Sequence, residues 1–463
     1  MGAFDGLSPL ISAILGLLRC DQSNSSERQL EVGPKLMNLH GELLAPLKIL
    51  YVISFPPFPI DVSGGAIRSR LMLDALAEIG TVRVLYLNYR GVDHHVNEAM
   101  TAAFGSKILS VASINMPGTW ESKHVRVFEK ASRGMGMLFG KDLALAGLRI
   151  SADAARTVSE LCDRGEIDLI VGRFSRTSAA AGLLAERGIP LIIDADDWEP
   201  RRSAARIKST PRYNVLLHAY LRRELRGSLF LGSQVLQKAN HIWLASEEDT
   251  ASLGRPQVTT LPNLAMSSAG DEIIALPPSS AGSKIVFSVG DWKRKQNADG
   301  MNWYLRQVWP LIRQTVPEAQ LRIAGATQPS DAREWSGVQN VCALGFVDEL
   351  RSEYEKAAVV ATPITWGGGT KIKVLEALAH GRVPAGTKHA FEGLPEKGTL
   401  EKIAVVEDEP APLAHRTAEM LLYPAIRQSQ ESAATTYYTN NHSVAAFKKR
   451  VRDTIEGVIA SRT

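Results

Sequence analysis

Twice along this chain, apolar runs of strand length alternate with stretches of helical period, and a Pro-, Ser- and Gly-rich break separates the two series. The first series predicts a strand over 47–54 (LKILYVIS), a helix over 66–79 and a strand over 81–88. It resumes with strands over 168–171 and 191–194, helices over 177–187 and 215–238, and a strand over 241–245. The stretch 89–149 between them has no period that assigns its elements. After the break at 262–283, ending LPPSSAGS, strands are expected over 284–289, 321–324, 359–363 and 403–406, with helices over 299–315 and 371–380. Strands that are apolar throughout must be covered on both faces, and helices between them imply parallel pairing. The expectation is therefore an α/β chain of two doubly wound domains, with ligands in the cleft outside the carboxyl ends of the strands.

The chain has 463 residues, enough for two or three domains, and 45% of them are hydrophobic, which excludes a mainly disordered polypeptide. We expect an extension over 1–45, an N-terminal domain over 46–265, a linker over 266–283 and a C-terminal domain over 284–425. Helices over 426–463 are expected to pack back on the N-terminal domain. Phe447, Val451, Ile455 and Ile459 form one apolar stripe there. The longest apolar run near the start, Leu7–Leu18, is shorter than the ~20 residues a bilayer needs, and no Lys or Arg precedes it as in a secretory leader. Cys20, Cys162 and Cys342 are far apart and odd in number, which points to a reducing compartment. The net charge of +4 does not by itself call for nucleic acid.

Chemistry concentrates in Thr365-Trp366-Gly367-Gly368-Gly369-Thr370-Lys371-Ile372-Lys373-Val374-Leu375-Glu376-Ala377, which follows the strand VVATPI and opens a helix. Three glycines let the backbone approach a ligand and leave amides pointing outward. With Thr370 as N-cap, Lys371 and Lys373 lie in the first turn, where the helix dipole already carries positive charge. A bound phosphate would resolve that conflict. Glu376 falls at the edge of the core-facing arc, where a carboxylate needs hydrogen-bond donors, and ribose hydroxyls would supply them.

Gly367–Ala379, followed by Glu392-Gly393-Leu394, resembles the donor-site signature of the family 4 glycosyltransferases, retaining enzymes of the GT-B fold. Phe287-Ser288-Val289-Gly290, Asn297-Ala298-Asp299-Gly300 and Val308-Trp309-Pro310 resemble the opening of that family's C-terminal domain. Pro317–Gly325 and Leu344–Val347 continue the likeness, and Ala245–Asp249 with Leu261-Pro262-Asn263 extends it into the N-terminal half. Many members carry two glutamates with seven residues between them. Glu376 matches the second, but Gly368 stands at the first. The resemblance implies two Rossmann-like domains facing across a cleft, a nucleotide sugar as co-substrate and no obligatory metal or other cofactor. It implies donor contacts from Gly64 and Gly65, from the Gly367–Thr370 loop with Lys371, from Glu392, and from Lys295 against the diphosphate.

Ser63-Gly64-Gly65-Ala66 reads as a loop entering a helix, and it is not the G-x-G-x-x-G fingerprint of dinucleotide folds. Asp194-Ala195-Asp196-Asp197 ends a strand, where neighbouring carboxylates raise one another's pKa. Asp197 is the expected acceptor-orienting group or base, with Asp196 and Arg173 on the acceptor side. Tyr213–Arg226 is rich in Arg and aromatics, which leaves a solvated helix or a basic face toward anionic lipid as alternatives. His94 and His95 read as surface residues. The expected function is retaining transfer of a sugar to a hydroxyl of a saccharide or lipid-linked saccharide, in polysaccharide or glycolipid assembly. Catalytic work falls to Asp197, Lys373 and Glu376. A nucleotide-sugar isomerase or phosphorylase, or a non-catalytic subunit of the same fold, are the alternatives. The expected location is the cytoplasm, with peripheral contact to the inner face of a membrane.

Overall fold

A computed structural model of the protein describes residues 46–55, 57, 64–89, 98, 102–103, 105–116, 148, 150–210, 215–267, 271–366, 371–394 and 397–462. The sequence-based expectations for 1–45, for His94 and His95, and for the loop 367–370 lie outside them.

The N-terminal half is a seven-stranded, wholly parallel sheet in the order β3-β2-β1-β4-β5-β6-β7. Its strands are β1 (Leu47–Ile53), β2 (Gly80–Asn88), β3 (Ile108–Asn115), β4 (Leu169–Arg173), β5 (Leu191–Asp196), β6 (His241–Leu244) and β7 (Val258–Thr260). Residues 49–53 of β1 and all of β4 and β6 are buried, as a central parallel strand covered on both faces must be. The C-terminal half repeats the plan with six strands in the order β10-β9-β8-β11-β12-β13. These are β8 (Ile285–Val289), β9 (Gln320–Ala324), β10 (Val341–Gly345), β11 (Val359–Thr362), β12 (Val383–Gly386) and β13 (Val405–Val406). In each sheet the order reverses beside its first strand, at β1/β4 and at β8/β11, and crevices open there.

Several boundaries differ from the sequence expectation, for physical reasons. β3, in the stretch without an assignable period, is the edge strand of its sheet, and of its described residues only Ile108 is buried, so it lacks the continuous apolar run of the central strands. The helix expected over 177–187 is the short Ser175–Ala180, because Gly182 takes a positive φ of 71° and ends it. The helix expected over 299–315 starts at Lys295 and contains a wide π turn, Tyr304–Val308, before Trp309–Thr315. Pro310 supplies no N–H to the preceding turn, which accounts for the widening.

The 266–283 segment has linker composition but is strapped to the C-terminal domain. Ile273 and Leu276 are buried, Arg382 Nη1 donates to the Pro277 carbonyl at 3.0 Å, and Arg427 Nε donates to Ser279 Oγ at 2.7 Å. The last two helices, Pro424–His442 and Val444–Ala460, part at Ser443. The first packs on the C-terminal domain. The second lies against the N-terminal helix Gly64–Ile79, with Lys448 Nζ 2.6 Å and Arg452 Nη2 3.3 Å from the Glu78 carboxylate. No helix among the described residues is long and apolar enough to cross a membrane.

Candidate functional site

The N-terminal wall of the cleft is a closed network of charges at the ends of β4 and β5. Arg68, on the helix Gly64–Ile79, grips Asp194 through Nε at 2.9 Å and Nη2 at 2.7 Å. Its Nη1 donates to the Leu261 carbonyl at 2.8 Å and to Asn263 Oδ1 at 2.9 Å. Arg173 meets Asp194 at 3.2 Å and Asp196 at 2.8 Å, and its guanidinium lies 3.9 Å from the centre of the Phe174 ring. Burial alone would raise the pKa of Asp196. The charges of Arg173 and Arg68, with hydrogen bonds from Arg173 and Asn263, outweigh it and hold the carboxyl down at about 2. Phe174 and Asp196 both take positive φ, 63° and 67°, without being glycine. Such backbone persists only where its surroundings over-determine it, and two on adjacent strand ends mark this rim as a constrained site.

Asp197 lies outside that network. Burial and the adjacent Asp196 charge raise its pKa, and Arg202 at 3.8 Å offsets them only in part. Of the two neighbouring carboxylates, Asp196 is locked as an anion and Asp197 is the one suited to take up a proton.

The C-terminal wall is the helix Ile372–Ala379, with Lys371 at its N-cap position. The N-cap thus falls one residue later than the sequence suggested. Lys373 Nζ lies 3.3 Å from Asn297 Oδ1 and 4.8 Å above the centre of the buried Trp292 ring, so Asn297 and Trp292 turn it under Gly290 at the end of β8. A Cβ on Gly290 would come within 3.0 Å of that ammonium, so glycine keeps the space open. Burial lowers the pKa of Lys373 to about 8, against the pull of Glu376. Burial likewise pushes Glu376 up to about 7, against Lys373 and the Tyr354 phenol beside it. Tyr354 is fixed by stacking on His380 at 4.1 Å and edge-on to Phe287 at 5.0 Å.

The two walls face each other. Burial lowers the pKa of Lys371, while Glu392, 3.9 Å away, and Asp197 on the opposite domain raise it. Glu392 also accepts from or pairs with His389 Nδ1 at 2.8 Å and feels Arg201 of the N-terminal wall. The structure therefore brings Asp197, Lys371, Lys373, Glu376 and Glu392 to one cleft.

Three sequence-based placements change. Arg173 is withdrawn from the cleft: its side chain is fully buried and ion-paired through Nη1 with Asp194 and through Nη2 with Asp196, so it positions the strand end. Lys295 is 78% exposed and paired with Asp299 at 2.8 Å, in the first turn of its own helix, while the half-buried Lys373 takes the place against Asn297. Gly64 and Gly65 are the first two helical residues rather than a loop, and a Cβ on Gly65 would meet the Phe55 ring at 3.2 Å. Arg68, Asn263, Trp292 and Tyr354 were not assigned from the sequence. Only Arg68 carried a signal, a charge among the core-facing Ile67, Leu71 and Met72. Trp366 also gains a place: its indole N–H donates to Asp299 at 3.2 Å, at the entrance to the glycine loop.

Residues 283–422 match the family model described as Glycosyl transferases group 1. Over 89% of its length, the chain superposes on 99% of a sucrose-phosphate synthase from Thermosynechococcus elongatus, with a TM-score of 0.60 and 15% identity. It superposes equally broadly on HepE from Anabaena in complex with UDP, with a TM-score of 0.57 and 12% identity, covering 100% of that chain. The fold is GT-B. WaaG, a glycosyltransferase involved in lipopolysaccharide biosynthesis, shares this GT-B plan over 88% of the chain and 100% of its own, with a TM-score of 0.53 and 14% identity. Among curated proteins, an uncharacterized 44.6 kDa protein in the cps region of Klebsiella pneumoniae is 26% identical over 134 residues. That match spans 27% of this chain and 34% of the relative.

Proposed function

We infer that this chain is a glycosyltransferase that moves a sugar from a nucleoside diphosphate to an acceptor hydroxyl with retention of configuration, as a family 4 enzyme would. The observation that carries this is the Lys373–Glu376 pair, two half-buried opposite charges one helical turn apart, both pushed toward neutrality by desolvation. A diphosphate against Lys373 and Lys371, and ribose hydroxyls donating to Glu376, would restore the stability of both charges. The Gly367–Thr370 amides would complete the diphosphate cradle at the helix start. Glu392 lies 3.9 Å from Lys371, and with Gly64–Gly65 it would border the sugar.

Charge develops on the leaving diphosphate in the transition state, and two lysines already desolvated in the cleft stabilise it without rearranging. Asp197 orients the acceptor hydroxyl and receives its proton. Lys371, Lys373 and the helix dipole would supply the positive charge at the diphosphate, so no obligatory metal or other cofactor is proposed. Polysaccharide or glycolipid assembly is the setting we propose. The acceptor is a saccharide or lipid-linked saccharide, and the location is cytoplasmic with peripheral contact to the membrane. UDP, UDP-glucose and saccharide ligands accompany solved GT-B relatives and make a uridine donor the first to try. The test is a panel of labelled nucleotide sugars with the purified protein. Donor binding and acceptor-dependent release of the diphosphate are expected, and the absence of binding by every donor would sink the proposal.

A further inference from the structure

The modest charge of the chain conceals a strong local surplus. Residues 199–226 hold eight Lys or Arg against two Glu, a surplus of six, whereas the whole chain has a net charge of +4. The remainder is therefore net acidic by two, and part of it answers the segment: Arg201 pairs with Glu248 and Asp249, and Arg202 lies 3.8 Å from Asp197. The segment's described residues form two neighbouring helices, Glu199–Ser209 and Val215–Lys238, and the first begins two residues after Asp197.

On the longer helix the solvent-facing stripe runs through Val215, Ala219, Arg222, Arg226 and Leu229 at alternating spacings of four and three. Val215 is 70% and Leu229 53% exposed, and Tyr220 stands partly exposed beside them. A helix that only meets water carries polar residues on such a stripe, so apolar side chains among arginines need another explanation. Arg222 and Arg226 have no ionic partner among the described residues, whereas Arg206 on the first helix is tied to Glu224 at 3.0 Å.

We propose that this helix pair docks on an anionic phospholipid bilayer, with Arg222 and Arg226 on the headgroup phosphates and Val215, Tyr220 and Leu229 at the acyl boundary. Two exposed arginines without an ionic partner among the described residues, interleaved with apolar side chains on one stripe, match a surface of negative headgroups over hydrocarbon. The placement deepens the functional assignment and rests on it: a lipid-linked acceptor leaving that surface would reach Asp197 along the Glu199–Ser209 helix.

The experiment is sedimentation of the full chain with vesicles of pure phosphatidylcholine or of phosphatidylcholine mixed with phosphatidylglycerol. Binding is expected only to the mixed vesicles and should weaken with salt. The R222E/R226E variant should bind them at least about tenfold more weakly. V215S/L229S, which keeps every charge, should also bind more weakly, and K293E/R294E on the other domain should bind like the parent. Thermal melts of each variant identify any that fail to fold, and V215S/L229S then carries the comparison alone. Equal loss in K293E/R294E, unchanged binding in both stripe variants, or preference for an acidic protein or RNA over vesicles would overturn the proposal. Because vesicle binding is read without turnover, a failure here leaves donor binding and transfer to a soluble acceptor to be judged separately.

Discussion

The two walls of the cleft handle buried charge in opposite ways. On the N-terminal wall, Arg68, Arg173, Asp194 and Asp196 are mutually paired, and Asp196 is held ionised near pH 2. On the C-terminal wall, Lys373 and Glu376 are half-buried and desolvated with too few partners, and each is pushed toward its neutral form. A mutually paired network is framework, and an undersatisfied pair is the kind of place where a ligand's own groups would complete the pairing. The same residue types serve both, and only their partners tell them apart.

The sharpest way to break this contrast is to disturb the framework. Arg68→Ala should cost about 3–5 kcal/mol of stability, because it leaves buried Asp194 partly unpaired and frees Asn263 at the domain crossover. Chemical denaturation would measure it, and a loss below about 1 kcal/mol would show that the network is not structural.

In the undersatisfied pair, Glu376→Ala should weaken donor binding by about 100-fold, corresponding to one or two charge-assisted hydrogen bonds. Calorimetry with the donor found in the panel would test this, and unchanged affinity would remove Glu376 from the site. Lys373→Met should lose donor binding while gaining about 1–2 kcal/mol of stability. The sign follows from linkage: a lysine whose pKa is lowered from 10.5 to about 8 on folding destabilises the native state below pH 8, and the penalty fades as pH rises toward 10.5. If the variant melts lower than the parent at pH 7, burial is not what depresses that ammonium.

Glu376 has the mirror-image dependence. Its carboxyl is raised from 4.5 to about 7, so its penalty to folding is absent below pH 4.5 and grows until pH 7. Donor affinity should accordingly rise as pH increases through 7, and a flat profile between pH 6 and 8 in Glu376→Gln but not in the parent would assign the titration. The smallest effect is expected at Lys295. Its pair with Asp299 is exposed, so Lys295→Ala should change stability by less than about 0.5 kcal/mol. A tenfold loss of donor affinity in that variant would return Lys295 to the diphosphate.

Much of this contrast was readable before the fold was known, though unevenly. Lys371, Lys373 and Glu376 are close in sequence on one helix, so helical geometry alone places them together. Asp196 and Asp197 announce themselves at a strand end. The partners that distinguish them do not: Arg68 is 126 residues from Asp194, and Asn297 is 76 from Lys373. Lys295 and Arg173 were misplaced for the same reason. A charge near a motif can as easily be satisfied by a neighbour four residues on, or by a buried strand end, as by a ligand.

Composition and period by themselves determined two parallel α/β domains and a glycine-opened helix bearing the cationic residues, because strand and helix periods and the chemistry of glycine are local properties. Only the tertiary structure decided which charges are spent on one another and which stay available in the cleft. Desolvation and pairing depend on distances between segments far apart in the chain, and burial gives the same lysine or carboxylate a different meaning on each wall.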